Sequence, residues 1–129
     1  MQRTTTFETW KYRDSMLGSN LNQEKITGYG VEAIDGSIGR IDDATLEADV
    51  GHVVVDTGPW IFGKKVMLPA GIITSVDHDD DKVFVNRTKD QIKNAPEFDD
   101  SMRRDENYRT ELGSYYGPGG RGYRDWDDS

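Results

Sequence analysis

Between Tyr29 and Asn86 the sequence is a succession of short runs rich in valine and isoleucine, each closed by glycine, proline or aspartate. Such spacing leaves room for little but a small β structure. YGVEAI (29–34) alternates apolar and polar residues ahead of Asp35-Gly36, a pair favoured in type I′ hairpins because both central residues take positive φ. SIGRIDDATLE (37–47) supplies the returning strand, with Gly39 marking a bulge or a close backbone approach. The uninterrupted valines of HVVVDT (52–57) predict burial on both faces. KVML (65–68) must end at Pro69-Ala70-Gly71, where proline lacks the N–H a central strand needs. IITSVD (72–77) and KVFVN (82–86) form a last hairpin around the acidic turn 78–81. The fold class expected is mainly β, a small antiparallel barrel or sandwich.

The period then changes. Thr88 followed three residues later by Gln91 has the capping-box spacing, which predicts a short helix from about Lys89 to Asn94, stopped by Ala95-Pro96. A second, weakly amphipathic helix is expected over about 100–112, with Met102, Tyr108 and Leu112 on one side. From Gly113 onward the sequence GSYYGPGGRGYRDWDDS has little aliphatic surface to offset ordering entropy, so a flexible tail is expected over 113–129. The domain reading is therefore a polar, aromatic extension over 1–25, a β domain over 26–96, a helical extension over 97–112 and the tail.

As an ordered set, GYGVEAIDGSIGRIDDATLE, HVVVDT, GKKVMLPAGIITSVD and KVFVNRTKDQIKNAP resemble the PRC-barrel family, named for the photosynthetic reaction-centre H subunit and found also in ribosome maturation factors. The matching features are Val31 to Asp35-Gly36, Ile38-Gly39 followed by Asp42, the HVVVDT strand, and Val66 to Pro69 followed by Ile72 to Asp77. The resemblance covers about Ile26 to Pro96 and implies an SH3-like β-barrel that docks onto other proteins without catalysis. It implies no cofactor and no catalytic residues. The residues outside 26–96 are too few for the RNA-associated domain of the maturation factors, and no run matches the reaction-centre subunit's membrane helix. A stand-alone bacterial member is expected.

Charge narrows the partners. With 16 Lys+Arg against 24 Asp+Glu the net charge is −8, which repels phosphate backbones and anionic headgroups. Neither nucleic acid nor a membrane span is expected, and the N-terminal residues lack the apolar stretch of a secretory signal. The absence of cysteine excludes disulfides, thiolate metal sites and thiol nucleophiles, and fits a cytoplasmic protein.

Four aspartates, Asp77, Asp79, Asp80 and Asp81, suggest a Ca²⁺ or Mg²⁺ site, but aspartate is also the ordinary residue of an exposed turn, and the EF-hand glycine and glutamate are missing. His52 and His78 lack the further ligands zinc requires. The P-loop spacing of Gly58 to Lys64 fails at Lys65 and at Pro59, which removes a cradling amide. Tyr115, Tyr116, Tyr123, Trp126, Arg121 and Arg124 could stack on RNA, against the opposing charge of Asp125, Asp127 and Asp128. The alternative to a docking module is thus a metal- or RNA-associated accessory protein using the acidic turn or the tail.

The bulkiest apolar triplet, Trp60-Ile61-Phe62, lies between turn residues in a protein that is 31% charged and 34% hydrophobic. Three adjacent side chains cannot all point inward from one connection, so these are the leading protein-contact residues. The expectation is a non-catalytic adaptor with a protein partner, a second copy of itself included.

Overall fold

The computed structural model describes residues 10, 26–45, 51–58, 64–99, 101 and 105–123. Six strands, β1 (Gly30–Ala33), β2 (Gly36–Thr45), β3 (His52–Asp56), β4 (Lys65–Pro69), β5 (Ile73–Asp77) and β6 (Lys82–Val85), form one sheet in the order β4-β3-β2-β1-β6-β5. Every pairing is antiparallel except β1 with β6, which is parallel. Hairpin signals report only pairs adjacent in sequence, so this non-local pairing left no mark on the residue pattern.

The two edge strands, β4 and β5, are consecutive in the chain and joined only by a 3-10 turn, Ala70–Ile72. Across a flat sheet they would stand about 24 Å apart, five gaps of about 4.8 Å, whereas a turn of that kind advances about 6 Å. The sheet must therefore curl, which gives the barrel-like form. The ten-residue β2 makes the bend: its first half pairs with β1 and its second with β3, with Arg40 opposite both Gly30 and Asp56. At this corner Gly39 has φ of 147°, and a Cβ there would lie 2.1 Å from the Asp56 carbonyl oxygen. Only glycine fits. Register shifts between Val31 and Glu32, Ile41 and Asp43, and Ile73 and Ser75 add local twist.

The core is aliphatic: Val31, Ile38, Ile41, Val53, Val55, Leu68, Ile72 and Val83 are among its buried members. His52 to Val55 are all buried, as their composition predicted. Helix α1 (Lys89–Lys93) has the capping box formed, with the Thr88 hydroxyl accepting from the Gln91 N–H and the Gln91 side chain accepting from the Thr88 N–H.

Three expectations are corrected. The β1–β2 turn is centred on Ile34 and Asp35, with Ala33 opposite Gly36, and Asp35 does not take positive φ. Its carboxylate accepts the Lys89 N–H at 2.8 Å, tying the turn to α1, and Gly36 alone has the positive φ of 146°. The second helix, α2, spans Glu106–Tyr116 and is capped by Asp105, whose carboxylate accepts the N–H groups of Asn107 and Tyr108. The region from residue 113 is not an unpacked tail as far as Tyr123. Tyr108, Leu112 and Tyr116 bury one stripe of α2, and aromatic surface does the work the aliphatic count overlooked.

Candidate docking surface

Several buried or half-buried polar groups hold the fold together. Arg87 is fully buried at the end of β6. Its guanidinium donates to the carbonyls of Asn86 (2.7 Å), Tyr116 (3.1 Å) and Gly122, and lies 5.8 and 6.0 Å from the ring centroids of Tyr116 and Tyr123. One side chain thus fastens the chain beyond α2 to the sheet. The Tyr115 hydroxyl donates to the Gln91 carbonyl, and the Tyr108 hydroxyl to that of Pro96. The Thr57 hydroxyl donates to the Lys64 carbonyl at 2.8 Å and closes the β3–β4 connection. Burial pushes the phenols of Tyr108 and Tyr116 far above the ordinary tyrosine range.

Trp10 covers the start of β3. Its carbonyl accepts the Gly51 N–H at 2.9 Å, its ring meets His52 edge-on at 6.4 Å between centroids, and its indole lies against Gly113 of α2. With α2 against β4 as well, the β3–β4 part of the sheet is covered on both faces. Tyr116 is wholly buried, and Tyr115 is half-buried with its hydroxyl held by the Gln91 carbonyl. Trp126 and Arg124 lie outside the described residues, as do Trp60, Ile61 and Phe62.

The four aspartates form the β5–β6 turn. Asp77 Oδ1 accepts the N–H groups of Asp79 (2.9 Å) and Asp80 (3.1 Å). Asp81 has φ of 55° and accepts the Gly30 N–H through its carbonyl. Asp79, Asp80 and Asp81 are exposed. Among the described residues no group of three or more His, Asp or Glu is placed to hold a metal ion. Beside the turn, the Tyr29 hydroxyl and His78 Nδ1 share a hydrogen bond of 2.8 Å. Burial, and then the charges of Asp81 and Asp77, hold that phenol above its usual range.

The outer face of β1, β6 and β5 is different in kind. Val83 and Val85 point inward, so strand alternation forces Phe84 outward, where it is 36% exposed. Ile34, in the adjoining turn, is 49% exposed. Phe84 stands between Glu32 on β1 and Ser75 on β5, and the Lys82 ammonium lies 3.5 Å from Glu32. On its outer side β5 is hydrogen-bonded to no further strand among the described residues. Sequence reasoning passed over Phe84, although one phenylalanine between two valines in KVFVN was the available signal.

No family model matches the chain. A protein of Deinococcus radiodurans, described as uncharacterized, is 34% identical over 97 residues, which is 73% of this chain and 32% of that protein. The chain thus spans about a third of the length of this relative. Among solved structures, one assigned as the 16S ribosomal RNA processing protein RimM of Pseudomonas aeruginosa aligns over 60% of this chain and 49% of its own, with a TM-score of 0.46 and 19% identity. No helix among the described residues is long and apolar enough to cross a membrane.

Proposed function

We propose that this chain is a non-catalytic docking module of the PRC-barrel kind, a cytoplasmic adaptor that binds another protein through the outer face of β1, β6 and β5. The observation that supports this reading is Phe84, 36% exposed on that face, with Ile34 nearby at 49%, the two large hydrophobic side chains left exposed among the described residues. Exposed aromatic anchors of this sort carry a large share of interface energy when a partner desolvates them. Trp60, Ile61 and Phe62, in the β3–β4 connection, are a proposed second contact.

The test is affinity capture with wild type, Phe84→Ser, and Trp60→Ala combined with Phe62→Ala, each checked by circular dichroism for an intact fold. The expected result is a partner retained by wild type at near-stoichiometric yield and lost with Phe84→Ser. Identical recovery by all three proteins would overturn the assignment of the surface, and a robust turnover lost on substituting His52 or His78 would overturn the non-catalytic reading.

A further inference from the structure

Resting on that docking reading, we infer that the partner segment is cationic: an extended stretch lying along β5, with an apolar side chain on Phe84 and lysine or arginine over the acidic β5–β6 turn. The two sheet edges are not equivalent. At β4, Met67 to Pro69 are buried, Pro69 has no N–H to offer, and Lys65 is held by Asp42 at 2.9 Å. At β5, Thr74, Ser75 and Val76 are partly or fully exposed and carry neither charge nor proline. The bulge at Thr74 leaves Ser75 to Asp77 as the regular stretch. Ser75 stands directly beside Phe84, and its small side chain leaves the ring reachable from the open edge.

Charge selects the occupant. The turn that continues β5 exposes Asp79, Asp80 and Asp81, while its neighbouring cation, Lys82, faces Glu32. The whole chain carries −8. A second copy fits poorly. Antiparallel pairing of β5 with β5 would set each acidic turn against the other's Ile73 end, where the basic side chain at the end of β6, Arg87, is wholly buried. A basic segment meets the same surface with attraction at the turn and apolar contact at Phe84.

The experiment selects random decapeptides displayed on phage against the immobilised full chain, then measures the best peptide, fluorescein-labelled, by anisotropy. Enriched sequences should combine lysine or arginine with an aliphatic or aromatic residue. Phe84→Ser should weaken binding about tenfold. Asp79→Asn with Asp80→Asn should weaken it several-fold at low salt and flatten its salt dependence, whereas Glu106→Gln with Glu111→Gln, on α2, should leave it unchanged. Thermal melts confirm that each variant is folded. Enrichment of acidic or uncharged peptides, no enrichment at all, or binding indifferent to Phe84→Ser would overturn the inference. So would a dimer in sedimentation that Phe84→Ser dissolves. The capture experiment reads docking whatever the partner's charge, so a failed selection beside a Phe84-dependent capture removes the cationic partner alone.

Discussion

In the β3–β4 part of the sheet, four successive residues from His52 to Val55 are buried, whereas in β6 the buried valines alternate with an exposed phenylalanine. The difference is a second layer. Trp10 and α2 lie over one part, and the other keeps one face in solvent. Where the layer is present, polar groups are spent on main-chain carbonyls, and substitution should cost stability. Where it is missing, substitution should cost binding and much less stability. The same chain thus separates a region that makes the fold from a region available for use.

The largest effect is expected for Arg87→Met. Loss of the guanidinium strands the carbonyls of Tyr116 and Gly122 in a buried setting, and urea unfolding should show a loss of about 3 to 5 kcal/mol. Next comes Gly39→Ala, where the Cβ meets backbone at the β2 corner. A loss of about 2 to 4 kcal/mol is expected from the same measurement, and it would break the account of the bend if it were absent.

Third is alkaline pH. The phenols of Tyr108 and Tyr116 ionise at higher pH in the fold than in the unfolded chain, where the value is about 10. The native state therefore keeps protons that the unfolded state releases, and stability should fall as pH rises above about 10. Tyr116→Phe should blunt that fall. Because the Tyr116 hydroxyl is buried with no hydrogen-bond partner among the described residues, the same variant should gain up to about 1 kcal/mol at neutral pH. The smallest loss of stability belongs to Phe84→Ser, about 1 kcal/mol, because part of the ring is already in solvent. A large loss there would erase the contrast between the two regions.

Much of the covered region was legible in the sequence. The valine run of β3, the glycine at the corner and the Thr88–Gln91 box each carry a local physical requirement that one residue type satisfies. The chain beyond Gly113 was misread because its aliphatic count is low, while its aromatic rings and its glycines were left out of the reckoning. Gly120 is required because a Cβ would lie 2.0 Å from the Ser114 carbonyl oxygen, and Gly122 because one would lie 2.3 Å from the Tyr115 ring. The same segment is also held by Arg87, which donates to the Gly122 carbonyl and is distant in sequence, hence invisible to a local reading. The proposed surface was legible only in KVFVN, since exposure of Phe84 follows from alternation but the open face beside it follows from where α2 lies.

Hydrogen–deuterium exchange of the full chain, free and bound to its captured partner or selected peptide, tests the division into covered and open regions most directly. Added protection should fall on residues 73–85 and leave residues 106–123 unchanged. Protection gained over residues 106–123, with 73–85 unaffected, would contradict it.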